Sequence, residues 1–358
     1  MSNTLNLAFF GSSKFVVPML EDIYSNCGKP VMDIYLQQLN YLASNHKEFK
    51  AIYPENLLSL KPTTLEPFFQ KIITLDLVVS QPDRLNRNKI QTNPVSVFAR
   101  NSNLQLFTPE KLNLELAEFT NLVPNLDLAF VASFGQIIST KILESAKYGF
   151  LNWHPSLLPK YRGATPMQET LKNGEKISGL SWLEVTKKMD AGDVYLQFQK
   201  TLAKEINFTG LAQEMGALGK NTWAVALVFK ILFPQLALVQ NETETTFTKI
   251  LTKDDKSVDP KNQSAKDILN HYRAYQVFPG TAFIDDYFKS TVTITEACLF
   301  TEQVADFQRI YENETWLQLK ANGQNRVLLK CQGSSIFEVK RIRLETGKQI
   351  DFKGFNFK

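Results

Sequence analysis

The run LNLAFFGSSKFVV, residues 5–17, decides the fold class. Leu5 to Phe10 form a short apolar run of strand length, and Gly11 ends it. Ser12 or Ser13 stands where a hydroxyl can cap a helix beginning near Phe15 by accepting a backbone N–H. The product is one strand-turn-helix unit. It holds a single glycine where a dinucleotide fingerprint requires three, so it offers no cradle for the pyrophosphate of NAD.

The same alternation continues to about residue 200. Further strands are expected at Ile73–Ser80, Leu104–Phe107, Leu128–Ala132, Gly149–His154 and Leu180–Val185. Helix-like segments between them argue for an α/β sheet with parallel strands. Thr209 to Leu232 carry apolar residues at helical spacing, and NETET, residues 241–245, makes a polar joint that is read as a linker after a domain of residues 1–240. Beyond it, a helix over Ser264–Tyr275 and the breaker Pro279-Gly280 lead into strands at Ser290–Ile294, Trp316–Lys320, Arg326–Cys331 and Ile336–Ile342. A small β-barrel over residues 246–358 removes the exposed edges of such a run. Residues 29–74 interrupt the first domain: Val31, Ile34, Tyr35, Leu39 and Leu42 mark an amphipathic helix, followed by a loop punctuated by Pro54, Pro62 and Pro67. That insertion either covers core or faces substrate as a lid.

The 358 residues favour two domains, and 44% hydrophobic against 21% charged residues is the balance of a globular protein. Cys27, Cys298 and Cys331 lie far apart without Cys-x-x-Cys spacing, which suggests neither a zinc site nor a disulfide framework and fits a reducing cytoplasm. The apolar stretch Trp223–Val239 is broken by Lys230 and Pro234, so a buried helix rather than a membrane span is expected. A net charge of +4 is too small for a dedicated nucleic-acid binder, but seven basic residues against two acids between Lys320 and Lys348 concentrate charge on the second domain.

The chemistry concentrates in NWHPSLLPKYRGATP, residues 152–166. In an extended segment side chains two apart share a face, so Asn152 and His154 project together while Trp153 turns away. An amide and an imidazole at the end of a parallel strand suit a carbonyl under attack: Asn152 donates N–H to the developing oxyanion, and His154 donates a second bond or handles a proton. Asp190 follows 36 residues after His154, in MDAGDVY. A strand end there brings its carboxylate to the imidazole, or else Asp190 and Asp193 simply build a turn.

On these stretches the chain resembles the methionyl-tRNA formyltransferase family of folate-dependent formyltransferases. FFGSSKFVVPML is similar to that family's opening unit, VVSQPDR to its second strand and loop, and DLAFVASFGQII to the strand before the active site. NWHPSLLPKYRGATP resembles the formyltransferase signature, MDAGD its LDxGD motif, and SAKDILNHYRAYQVFPG the opening of its second domain. The resemblance implies a Rossmann-like, mostly parallel formyltransferase domain followed by an OB-like tRNA-binding β-barrel. It implies a catalytic trio of Asn152, His154 and Asp190, and no metal. It places 10-formyltetrahydrofolate against Phe134, Gly135, Ser156, Leu157, Leu158 and Pro159. Initiator methionyl-tRNA is expected at Arg84, Arg87, Lys89, Arg162, Arg273, Arg341 and Arg343, and the enzyme is expected to be a cytoplasmic monomer.

Three departures stand out. LNRNKIQTN after QPDR is a shortened version of a longer, glycine-bearing basic loop; the insertion at 29–74 is extra; and Ser133-Phe134-Gly135 replaces Ala-Tyr-Gly. Sugar-nucleotide N-formyltransferases share the trio and the loop and are the near alternative. A glycinamide-ribonucleotide formyltransferase would leave the second domain without a purpose. A non-catalytic RNA-binding relative is the alternative from another class.

Overall fold

A computed structural model of the chain describes residues 3–45, 47–57, 66–86, 89–321 and 324–357. It divides into two compact units, one of residues 1–166, 177–201 and 212–248 and the other of residues 167–176, 202–211 and 249–358. The first is built on an eight-stranded sheet. Its strands are β1 (Thr4–Gly11), β2 (Lys50–Tyr53), β3 (Ile72–Val79), β6 (Leu106–Phe107), β7 (Leu128–Ala132), β8 (Phe150–His154), β9 (Ile177–Glu184) and β10 (Val194–Thr201), in the order β2-β10-β9-β8-β7-β1-β3-β6. Pairing is parallel from β6 through β3, β1 and β7 to β8, and antiparallel from β8 through β9 and β10 to β2. A further two-stranded ribbon, β4 (Arg84–Asn86) with β5 (Lys89–Gln91), follows β3.

The sheet is thus parallel where the apolar runs of the sequence are cleanest and mixed where they are not. β10 reads VYLQFQKT, and its glutamines hide it from a hydrophobicity reading although its first five residues are buried. On one face Phe10, Phe134 and Phe150 meet edge to face, with centroids 5.3 Å apart for Phe10–Phe134 and Phe10–Phe150, among Leu77, Phe107, Phe119 and Ile142. The first turn departs from expectation. Ser13 makes no cap bond, and Ser12 instead joins three loops, its Oγ donating to the Phe134 carbonyl at 3.1 Å and accepting from Gln81 N at 3.2 Å.

The insertion covers core. Helix α2 (Val31–Ser44) buries Val31, Ile34, Tyr35, Gln38 and Leu42, and β2 adds a strand to the sheet edge. The apolar stretch after Thr209 is two helices, α8 (Phe208–Lys220) and α9 (Trp223–Leu232), rather than one. Gln38 of the insertion sits at their junction: its Nε2 donates to the Lys220 carbonyl at 3.0 Å, and its Oε1 accepts from Ala224 N at 2.9 Å. One side chain therefore serves a helix C-terminus and a helix N-terminus, both of which leave unpaired backbone groups. Pro62 lies outside the described residues. No helix among the described residues is long and apolar enough to cross a membrane.

The named strands of the second unit pair antiparallel. Its strands are β11 (Ala282–Asp285), β12 (Ser290–Cys298), β13 (Gln308–Glu312), β14 (Trp316–Ala321), β15 (Gln324–Lys330), β16 (Ile336–Leu344) and β17 (Gln349–Asp351). They run in the order β11-β12-β16-β15-β14-β13 with β17 on β16. Helix α10 (Ala265–Tyr275) opens on a capping box, in which Ser264 and Asp267 bond each other's backbone N–H, and packs Ile268, Leu269 and Tyr272 into a core with Trp316, Val327, Phe337 and Ile342. On the same helix His271 is buried, with Nδ1 2.8 Å from Thr281 Oγ1 and Nε2 2.9 Å from the Asp255 carbonyl oxygen.

Burial holds the His271 imidazole neutral and lowers its pKa from 6.5 to about 4. Its folded pKa lies below its unfolded one, so its contribution is intact above pH 6.5 and is lost as pH falls through about 4, where the unfolded chain takes up the proton first. The expected loss across that window is about 3 kcal/mol. Urea unfolding of the chain at pH 7 and pH 4.5, compared with His271→Gln, reads it: the variant should lose less stability between the two pH values. An equal loss in both proteins would mean that His271 titrates alike folded and unfolded.

Candidate active site

β8 ends on Asn152-Trp153-His154, and the pleat turns Trp153 into the core, where its indole N–H donates to the Met215 carbonyl at 3.3 Å. Asn152 and His154 share the opposite face, as the alternation requires. β9 runs back beside β8, pairing Asn152 with Leu183 and His154 with Ser181, so its end lies at the start of β8. The loop from β9 to β10 leaves and re-enters the sheet at that same end, Val194 of β10 pairing with Leu183, and it carries Asp190 to the other two.

The carboxylate of Asp190 is the meeting point. Its Oδ1 accepts from Asn152 Nδ2 at 3.1 Å, and its Oδ2 accepts from the backbone N of Gly163 at 2.8 Å. His154 Nδ1 lies 3.6 Å from the same Oδ2. A carboxylate offers only acceptors here, which fixes the Asn152 amide with nitrogen toward Asp190. Among the described residues no acceptor takes the second Nδ2 hydrogen. His154 Nε2 is 2.9 Å from the Tyr161 carbonyl oxygen, and because a carbonyl only accepts, Nε2 carries the hydrogen. Nδ1 is then the nitrogen free to gain or lose a proton against Asp190. Of the two oxyanion donors read from the sequence, Asn152 keeps a free N–H, whereas His154 has its Nε2 hydrogen engaged by Tyr161.

The loop from Ser156 to Thr165 is held by side chains that the sequence reading passed over. Ser181 Oγ donates to the Ser156 carbonyl at 2.7 Å and accepts from Leu158 N at 3.2 Å; Gln197 Nε2 donates to the Leu158 carbonyl at 2.9 Å. From the other side Thr246 Oγ1 accepts from Tyr161 N at 2.8 Å, and Thr248 Oγ1 accepts from Thr165 N at 3.0 Å. Each buried loop amide or carbonyl so bonded avoids the penalty of an unpaired polar group. The available signal was a polar residue on the buried stretch of a strand, Ser181 in LSWLE and Gln197 in YLQF.

The expected donor-binding residues divide in two. Leu157 and Pro159 are half-buried, and Leu157 lies over Gly179, where a Cβ would approach its Cδ2 to 2.3 Å. Ser156 and Leu158 are buried anchors, the hydroxyl of Ser156 donating to the Lys160 carbonyl at 2.7 Å. Phe134 was expected to present its aromatic bulk to the ligand, but its ring lies in the core against Phe10. Only its carbonyl reaches the loop cluster, accepting from Gln81 Nε2 at 2.9 Å, beside Gly135 at φ +81°.

Arg162 requires a correction. It is 0% exposed, with Nε and Nη2 donating to Gln240 Oε1 at 3.1 and 2.9 Å and Nη2 to Glu242 Oε1 at 3.0 Å, so it is an interior strut and not a surface cation. Residues 241–245, read as a linker, lie in the first unit, where Glu242 joins Arg162 to Lys188. Arg84 is exposed and donates to Gln81 Oε1 at 2.8 Å. Arg87 and the side chain of Lys89 lie outside the described residues, and the ribbon beside them exposes the paired Leu85 and Ile90. In the second unit Arg273 is half-buried, donating to the Lys204 carbonyl and to Asn270, and Arg341 is paired with Glu296 and Asp351. Arg343 is exposed without an ion pair among the described residues. Arg326 and Lys330 are likewise paired with acids, so much of the basic stretch Lys320–Lys348 is neutralised by carboxylates of the same unit, most of them outside the stretch.

Residues 69–228 match the family described as formyl transferase, and residues 250–357 match the formyl transferase C-terminal domain. The methionyl-tRNA formyltransferase of Mycoplasmopsis pulmonis is 30% identical over 267 residues, covering 71% of this chain and 90% of the relative. That of Lactococcus lactis subsp. cremoris is 35% identical over 208 residues, covering 56% of this chain; the match spans 64% of the relative's length. A sugar N-formyltransferase from Shewanella shares the fold with a TM-score of 0.53 at 14% identity, over 83% of this chain and 99% of that one.

Gly163 tests how tightly the loop is held. Its φ is +113°, and a Cβ there would stand 2.7 Å from Thr248 Oγ1 and 2.9 Å from the Thr248 carbonyl oxygen. Gly28 also has positive φ, +87°, but nothing within 4 Å. Gly28→Ala should cost about 1–2 kcal/mol from backbone conformation alone. Gly163→Ala should cost more, read as a larger fall in the urea midpoint; equal falls would mean that the loop yields freely around Thr248.

Proposed function

We propose that this chain, which belongs to the methionyl-tRNA formyltransferase family, transfers the formyl group of 10-formyltetrahydrofolate to the free α-amino group of initiator methionyl-tRNA. The observation that carries the reading is the convergence of Asn152, His154 and Asp190 at the end of β8, with an N–H of Asn152 unclaimed. An α-amino group has a reference pKa of about 7.7–8 and is partly neutral near pH 7, so it needs positioning more than activation. Its nitrogen attacks the formyl carbon, and the carbonyl oxygen gains the negative charge. The unclaimed N–H of Asn152 is the donor for that oxyanion. As the new C–N bond forms, the amine gives up a proton to the His154–Asp190 pair. That proton is delivered to N10 as the bond between N10 and the formyl carbon breaks, which releases tetrahydrofolate.

Half-buried Leu157 and Pro159 and the backbone at Gly135 are the surfaces offered to the folate. Arg84 in the first unit and Arg343 in the second are the exposed cations offered to tRNA phosphates, contacts that position the nucleic acid without reading its sequence. Leu85 and Ile90 on the short ribbon after Gln81 add apolar surface beside the shortened basic loop.

One assay tests the reading: purified chain with 10-formyltetrahydrofolate, offered methionyl-tRNA, free methionine and amino-sugar nucleotides side by side. Formylation of methionyl-tRNA is expected, and Asn152→Ala should lower the rate by about 10²–10³-fold, the usual cost of one oxyanion donor. Preference for a sugar nucleotide would overturn the acceptor. Unchanged turnover in Asn152→Ala would overturn the site.

A further inference from the structure

Residues 229–249 fall between the two stretches that match formyl transferase families. Part of this segment nonetheless lies against the catalytic loops. Leu238 and Val194 exchange backbone bonds of 2.8 and 2.9 Å at the start of β10. Thr246 and Thr248 bond the loop at Tyr161, Arg162 and Thr165. Between these two attachments stands Gln240, 7% exposed.

The Gln240 amide faces two loops at once. Its Nε2 donates to the Asp190 carbonyl at 2.8 Å and to the Gly192 carbonyl at 2.7 Å. Its Oε1 accepts from Arg162 Nε at 3.1 Å and Nη2 at 2.9 Å. Arg162 is followed in the chain by Gly163, whose N donates to Asp190 Oδ2 at 2.8 Å. The bonds therefore close a ring that leads from the Asp190 carbonyl through Gln240, Arg162 and Gly163 back to the Asp190 carboxylate. Asp190 itself has φ +51°, in the left-handed region that Asp enters more readily than most residues with a side chain. The two carbonyls drawn to Nε2 tie the turn in that form to Gln240.

We propose that Gln240 is a positioning residue of the transfer site: its side-chain amide locks the Asp190 turn onto the signature loop and so sets the carboxylate between Asn152, His154 and Gly163. The assignment rests on the reading of those residues as the formyl-transfer centre. Only a primary amide of this length does both jobs, because it puts two N–H donors and a carbonyl acceptor on opposite edges of one group. A carboxylate keeps the acceptor for Arg162 and loses the donors for Asp190 and Gly192.

The test uses the full chain with Gln240→Leu and Gln240→Glu, alone and in an Asp190→Asn background. Both single variants should lower kcat roughly 10–100-fold with KM for either substrate changed by less than about threefold, the signature of a displaced catalytic group. The Gly163 amide should exchange its hydrogen about tenfold faster, because its acceptor is no longer fixed. In the Asp190→Asn background Gln240→Glu should add less than about a twofold loss, because the two changes act through one group. A Gln240→Glu protein with wild-type kcat, or a loss that multiplies in full with that of Asp190→Asn, would overturn the assignment. If the unmodified chain formylates no methionyl-tRNA, the functional reading fails instead. Gly163 exchange still decides the placement of Asp190: faster exchange in Gln240→Leu sustains it and unchanged exchange overturns it.

Discussion

A single carboxylate holds the catalytic end of the first unit together. Asp190 takes an N–H on each oxygen, from Asn152 on β8 and from Gly163 in the loop after it, and it faces the His154 imidazole. These groups come from two chain segments with β9 between them, so nothing local fixes their geometry. It is fixed by the hairpin after β8: β9 runs antiparallel to β8 and β10 antiparallel to β9, with Val194 opposite Leu183 and Leu183 opposite Asn152, so the loop between β9 and β10 opens beside Asn152. Asp190 lies on that loop in a left-handed backbone conformation, and the Gln240 amide binds the carbonyls of its turn.

Around this carboxylate the protein uses polar side chains where most interiors use apolar ones. Ser181, Gln197, Thr246, Thr248, Gln240 and Arg162 each bond loop backbone or a neighbouring side chain, and four of them are buried. Such a network rigidifies the loops through the groups it satisfies, although Arg162 Nη1 is left buried without a partner. Rigidity suits a site whose chemistry depends on positioning more than on a strongly perturbed acid or base. The buried guanidinium of Arg162 fits this logic: its partner Glu242 is in turn bound by Lys188, so the loop before Gly163 and the loop before Asp190 are tied by charge as well as by the Gln240 amide. The insertion works elsewhere, with Gln38 bonding the junction of α8 and α9 and β2 covering the edge of β10.

Much of this was legible in the sequence, for identifiable reasons. The parallel strands β1, β3, β7 and β8 are short, mostly apolar runs, and Asn152 and His154 follow from the period of a strand, so both fold class and the centre of the site could be read directly. β10 could not, because VYLQFQKT mixes glutamines with apolar residues, and its neighbour β9 was legible as a strand but not as an antiparallel one. Side chains acting through space were the least visible. Arg162 sits in a basic-looking loop and reads as a surface cation, yet its acceptor lies 78 residues later, on Gln240. Polar NETET reads as a linker because composition reports solvation and carries no record of a distant partner. The basic stretch of the second unit misled in the same way, since Glu296, Glu312, Glu338 and Asp351 pair with Arg341, Lys330, Arg326 and again Arg341.

If the Asp190 carboxylate organises the site, replacing one of its oxygens by an NH2 group should disable transfer without unfolding the protein or weakening its grip on substrates. Single-turnover formylation of methionyl-tRNA by Asp190→Asn measures this directly, with bound folate and bound tRNA quantified in the same sample. The account predicts a transfer step slower by about a hundredfold or more with both substrates still bound. A transfer rate within a few-fold of the unmodified chain would contradict it.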